Sequence, residues 1–120
     1  MEVSNLIIGS TLSEIQKKPD NVKLTFENSK KGKTYFLTFD GILLETSGSS
    51  LNRRVKAIQV ENILGFRVSS QLRHLHKNLH DYRQIFIQME GSNDDNKLEL
   101  LGAFKRYKIY SRDSGGTVKV

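Results

Sequence analysis

The sequence predicts an α+β fold: an antiparallel β-sheet of about five to seven strands, rich in hairpins, with one main α-helix packed on one face. Three observations carry it. In "VKLTFE" the apolar Val22, Leu24 and Phe26 alternate with Lys23, Thr25 and Glu27. In "YRQIFIQME" Ile85, Ile87 and Met89 alternate with Gln84, Phe86 and Gln88. This is the two-residue period of half-buried strands. Turn formers separate such runs at "KKPDN", "NSKKGK", Asp40-Gly41 and "GSNDDN". Only one stretch changes period: Val68, Leu72, Leu75, Leu79 and Tyr82 recur at spacings of four, three, four and three, the stripe of a helix against a sheet.

The elements follow in order. Leu12 to Gln16 fits strand or short helix, and periodicity does not decide it. Pro19 presets a turn that Asp20 and Asn21 favour, and the strand "VKLTFE" follows. In "TYFLTFDGILLET", Asp40-Gly41 is a favoured two-residue hairpin turn. Such a hairpin sets Phe39 against Ile42, Leu37 against Leu44 and Tyr35 against Thr46, so that Tyr35, Leu37, Phe39, Ile42 and Leu44 share one apolar face. The alternative is one long strand with a bulge at Gly41. "RRVKAIQV" reads as a strand, and "SSQLRHLHKNLHDYRQ" as the helix. "KLELLGAFKRYKIY" is a long final strand bent at Gly102. The domain is expected over residues 1–112, with 113–120 as a flexible C-terminal tail.

Composition narrows the chemistry. With no cysteine in 120 residues, disulfides, thiolate nucleophiles and cysteine-ligated metals are excluded. The start of the chain, with its apolar run only from Leu6 to Ile8, has neither signal-peptide character nor a membrane span. A cytoplasmic, soluble protein without membrane contact is expected. The net charge of +6 is concentrated. Between Arg53 and Gln88, seven basic residues (Arg53, Arg54, Lys56, Arg67, Arg73, Lys77, Arg83) oppose Glu61 and Asp81. From Lys97 onward, six oppose Glu99 and Asp113.

All three histidines lie in the predicted helix. Its geometry points His74 away from the sheet, near Ser70 and Asp81, and puts His76 and His80 on a flank with Arg73 and Lys77. At most two of them share a ligand. A zinc-binding helix with histidines four apart carries a glutamate beside the first, where this chain has Lys77. Neither a metal site nor a catalytic residue nor a cofactor is therefore expected, and the balance is against an enzyme.

Two basic stretches suit anions. In "ETSGSSLNRR", the hydroxyls of Ser47, Ser49 and Ser50 and the guanidinium groups of Arg53 and Arg54 form an anion-binding candidate. In "FKRYKIYSR", Lys105, Arg106, Lys108 and Arg112 interleave with Tyr107 and Tyr110, a pattern able to follow a phosphate backbone and stack bases. A charged edge strand kept from pairing with other chains explains the same residues. "GKTYFLTF" shares Phe36 and Phe39 with the ribonucleoprotein motif of RNA recognition modules, but transposes its first two residues and lacks one stacking aromatic. That family is set aside.

The leading expectation is a non-enzymatic protein-interaction or regulatory, inhibitor-like module. It would dock a protein partner through Arg73, His76, Lys77 and His80 on the helix and through Lys105, Arg106 and Lys108 on the last strand. An exposed edge would also permit a homodimer. Nucleic-acid or phosphoanion binding ranks second. A metal-dependent hydrolase built on His76 and His80 ranks last.

Overall fold

The computed structural model describes residues 6–46, 51–90, 99–113 and 115–120. Its elements are β1 (Thr11–Lys18), β2 (Asn21–Asn28), β3 (Lys33–Thr46), β4 (Val55–Glu61), α1 (Phe66–His74), a 3-10 turn (Leu79–Asp81), β5 (Arg83–Met89), β6 (Glu99–Asp113) and β7 (Gly116–Lys119). All strand pairs are antiparallel, in the order β1-β2-β3-β6-β5-β4, with β7 added to β6. The predicted α+β class, an antiparallel sheet carrying a helix, is what the chain forms. No helix among the described residues is long and apolar enough to cross a membrane.

The sheet curls until its ends meet. Gly9 N–H donates to the Val55 carbonyl (3.0 Å), Val55 N–H to Ser10 (2.8 Å), Leu12 N–H to Arg53 (2.9 Å) and Asn52 N–H to Leu12 (2.7 Å). These bonds join the start of β1 to the chain entering β4, and so close the sheet around one apolar interior. Into it point Leu12, the alternating Val22, Leu24 and Phe26 of β2, Tyr35, Leu37 and Phe39 of β3, Ile85, Ile87 and Met89 of β5, and Leu100, Phe104 and Ile109 of β6. In β4 the register shifts between Val55 and Ala57, which lets Val55 and Ile58, three residues apart, both face inward. A second apolar cluster lies outside the barrel. There Val68 and Leu72 of α1, with Tyr82, cover Leu101 and Ala103 of β6, and Ile42 and Leu44 of β3 pack against them.

The Asp40-Gly41 hairpin does not form. β3 runs unbroken from Lys33 to Thr46, pairing with β2 as far as Asp40 and with β6 along its length. Gly41 is not left-handed, as the hairpin turn would require. It serves a different need, because β6 crosses there at close range. A Cβ on Gly41 would overlap the Ala103 carbonyl oxygen and lie 2.6 Å from the Phe104 Cα. The expected common face is divided accordingly. Tyr35, Leu37 and Phe39 enter the interior with Leu43, whereas Ile42 and Leu44 sit outside against the helix cluster.

Three further points concern elements whose form the sequence pattern did not settle. Leu12 to Gln16 is strand, held by pairing with β2. The last long strand pairs with β3 on one side and on the other with β5 over Glu99–Phe104 and with β7 over Tyr110–Asp113, which leaves Lys105–Lys108 without a strand partner on that side among the described residues. Near the end of the chain, Gly116–Lys119 pairs with Tyr110–Asp113 and Val120 N–H reaches the Ile109 carbonyl (2.8 Å).

The fit at Gly41 gives a direct prediction. In a turn, alanine would cost about 1 kcal/mol. Against the backbone of β6 the main chain must move, so Gly41→Ala should lower unfolding free energy by about 3 kcal/mol or more in a denaturant titration. A loss below about 1 kcal/mol would refute the close crossing.

Candidate functional site

The outer surface of β3 and β6 has two halves. The helix cluster covers one, at Ile42, Leu44, Leu101 and Ala103. The other extends over Thr34–Asp40 and Arg106–Arg112. Alternation makes its outward side chains Thr34, Phe36, Thr38 and Asp40 on β3, and Arg106, Lys108, Tyr110 and Arg112 on β6. These pair directly across the two strands: Arg112 with Thr34, Tyr110 with Phe36, Lys108 with Thr38, and Arg106 with Asp40. The break between the halves coincides with register shifts at Asp40/Gly41 and Leu43/Glu45.

Phe36 is the centre of the open half. Lys23 Nζ of β2 lies 4.7 Å from its ring centroid and Arg112 Cζ lies 5.0 Å from it. Both are within cation–π range. Phe36, Tyr110 and Lys23 are only partly buried, and Arg106, Lys108 and Arg112 are exposed. Along β6 the outward residues are about 6.7 Å apart, so cation, cation, ring and cation follow each other at regular steps. Tyr107 departs from the sequence expectation. It packs at the barrel interior, edge-on to Phe104 (5.7 Å), and takes no place in this row.

Two adjoining grooves of about 380 and 400 Å³ flank the Asp40–Arg106 pair. Besides that pair, Asn21, Thr38, Tyr107, Lys108 and Tyr110 line the first, and Asp20, Gly41, Lys77, Tyr82 and Lys105 the second. Arg106 approaches Asp40 at 3.5 Å and Lys77 approaches Asp20 at 3.5 Å. Lys105 Nζ stands 5.4 Å from the Tyr82 ring centroid. Gly41 N–H donates to the Asp20 carbonyl (3.0 Å), which fixes the β1–β2 turn against β3. Of the basic residues singled out from sequence, Lys77, Lys105, Arg106 and Lys108 are thus brought together. Arg73, His76 and His80 are exposed and line neither groove.

Arg53 and Arg54 lie elsewhere, at the barrel seam. Both are exposed, and Arg54 stands 4.0 Å from Glu90. Ser47, Ser49 and Ser50 lie outside the described residues. Among the described residues, no group of three or more histidine, aspartate or glutamate side chains is placed to hold a metal ion.

The histidines do not share one long helix, as the sequence pattern had implied. α1 ends at His74, with His76 left-handed at φ 59°. Lys77 N–H bonds the Leu72 carbonyl (2.9 Å) and His76 N–H bonds Arg73 (3.0 Å), the paired bonds of a Schellman stop. Asn78 then opens the 3-10 turn, its Oδ1 accepting from His80 N–H (3.1 Å). His74 closes the helix, His76 forms its stop and His80 belongs to the next turn. All three are exposed. Leu75, expected inside, is 46% exposed for the same reason.

No protein-family model matches the chain, and neither a curated protein nor a solved structure does so. Sequence reading overlooked Lys23 as a partner in this face and set Phe36 aside. The available signal was the phase of β3, where Phe36 interrupts the polar series Thr34, Thr38 and Asp40. An aromatic on the wet side of an amphipathic strand needs a reason of its own.

The helix stop makes a simple prediction. A left-handed non-glycine residue carries backbone strain of about 1 kcal/mol. His76→Gly should therefore raise unfolding free energy by roughly 0.5–1 kcal/mol. Stability falling instead would mean that the imidazole makes a contact worth more than this strain.

Proposed function

We propose that this chain is a nucleic-acid-binding protein that engages phosphates with the open half of the β3–β6 surface. One observation carries the reading: cations from three separate parts of the chain (Lys23 of β2, Lys77 after α1, and Lys105, Arg106, Lys108 and Arg112 of β6) meet on one side of the barrel, beside the partly exposed rings of Phe36 and Tyr110 and the buried ring of Tyr82. A solvated charge run needs no such convergence. The cations lie along a central strand, so the backbone holds them in a fixed row, and the ligand is met by a surface that needs little ordering.

Asp40 tempers the face. Its carboxylate sits between the two grooves and offsets Arg106. That exposed pair adds little to stability, so its main effect is on the local field. No step of chemistry is needed for this function.

The test is titration of a labelled oligonucleotide at several salt concentrations. With four phosphates neutralised by Lys23, Arg106, Lys108 and Arg112, log affinity should fall against log salt with a slope of about −3 on a single strand. Lys108→Glu should weaken binding about tenfold or more, and Asp40→Asn should strengthen it about threefold. Absence of binding at low salt, or binding indifferent to salt, removes the reading.

A second reading, docking of a protein partner or of a second copy of this chain, is supported by a different place. Ile63, in the connection from β4 to α1, and Phe66, the first residue of α1, are 83% and 85% exposed. Such side chains act as anchors where interfaces bury them. If a second copy covers them, sedimentation should show a concentration-dependent dimer that Phe66→Ser abolishes. A monomer at every concentration would rule out self-association through this site.

A further inference from the structure

We infer that the open face selects single-stranded over duplex nucleic acid, with bases stacking on Phe36 and Tyr110 while the cations around them hold the phosphates. The inference rests on the phosphate-binding reading above and adds the ligand's strandedness and the residues that read it.

The argument begins with what each kind of side chain can gain. A duplex turns its bases inward and offers a flat protein face little but phosphate and sugar. Cations alone would suffice for it. Phe36 and Tyr110 are directly opposite on β3 and β6 and point outward, beyond the reach of the helix cluster. Both keep part of their surface in water. On the covered half of the same two strands, the outward positions are filled by Ile42, Leu44, Leu101 and Ala103, which have no π-face. On β3 and β6, rings therefore stand where the surface is open and aliphatic side chains where it is covered, although Phe86 of β5 adds a ring to the covered cluster.

Charge and rings also interleave at a scale a single strand can use. Lys23 and Arg112 are already in contact with the Phe36 ring, and Lys108 adjoins Tyr110 in one groove. A base laid on either ring would keep its own phosphate within reach of one of these cations. Stacking of this kind tolerates any base, because every base has a π-face. The expected preference is for strandedness rather than sequence.

The chain contains no tryptophan, which allows a direct optical test. Phe36→Trp places a single reporter on the face, and Tyr110→Trp provides a second, independent one. A single strand of about ten nucleotides should quench either reporter by roughly half, whereas a duplex of the same sequence should bind without quenching. Phe36→Leu retains an apolar side chain and removes the ring. It should lower single-strand affinity about tenfold and leave duplex affinity unchanged. Thermal unfolding of each variant near the parent temperature establishes that the fold is kept.

The two levels of the argument fail separately. Salt-dependent binding with no quenching of either tryptophan, and with Phe36→Leu equal to the parent, would overturn the stacking inference and leave phosphate binding standing. Equal affinity for single strand and duplex would do the same. No binding of either ligand at low salt would end both.

Discussion

The pairing of β3 with β6 is the constraint on which the molecule depends. Their register runs from Thr34 opposite Arg112 to Thr46 opposite Leu100, longer than any other pairing in the sheet. β2 and β1 attach to one side of this pair, β5 and β4 to the other, and the two flanks curl until Leu12 bonds the chain at Asn52 and Arg53. Such long strands cannot stay flat, because twist accumulates along them. Here the strain is relieved where the register shifts, at Asp40/Gly41 and again beyond Leu43. Gly41 lets the strands cross without a side chain between them. Interior, helix seat and open face all take their positions from that crossing.

The same crossing divides the outer surface. On one side of it, Ile42, Leu44, Leu101 and Ala103 give α1 an apolar seat that Val68 and Leu72 fill. A nine-residue helix is too short to be stable alone, so its existence depends on this seat. Its far end is tied by Gly65 N–H to Gln84 Oε1 (2.6 Å), and Gln84 Nε2 in turn reaches Glu61 (3.0 Å). On the other side of the crossing no helix follows, and the outward residues change to threonine, lysine, arginine and aromatic. The open face is thus the part of the central strands that the helix cluster does not cover.

Much of this was legible in the chain, for a physical reason. β2 and β5 are amphipathic strands with strict alternation, and burial of Val22, Leu24, Phe26, Ile85, Ile87 and Met89 follows their phase. What escaped reading is what breaks phase. Asp-Gly is the favoured signal of a hairpin, yet the same glycine serves a close strand crossing, and only the partner strand distinguishes them. The helix stripe looked continuous because Leu75 and Leu79 keep the spacing, while the stop falls on His76, which lacks the glycine that usually marks it. At the face, Lys105, Arg106, Lys108 and Tyr110 were readable as a charged strand. Their convergence with Lys23, Phe36 and Lys77 depended on a sheet order that local pattern does not encode.

The charges of the open face are partly balanced within the protein, and on the proposed reading a polyanion would complete that balance. Arg106 and Lys108 point outward from one strand about 6.7 Å apart, less than the screening length of about 8 Å at physiological salt, whereas Arg112 lies about 13 Å beyond Lys108 with Tyr110 between them. The first two repel each other, and on the proposed reading a polyanion would relieve that repulsion. Without it, three features moderate the cost. Asp40 neutralises Arg106 at one end, while the Phe36 ring attracts both Lys23 and Arg112 at the other. Each exposed cation–π contact contributes about 0.5–1 kcal/mol, enough to bias a long side chain and too little to trap it. Lys108, in the middle, remains exposed beside Thr38 and Tyr110. The ring therefore has two compatible roles. It orders cations that would otherwise spread into water and, on the proposed reading, would exchange them for a base when phosphates arrive to receive them.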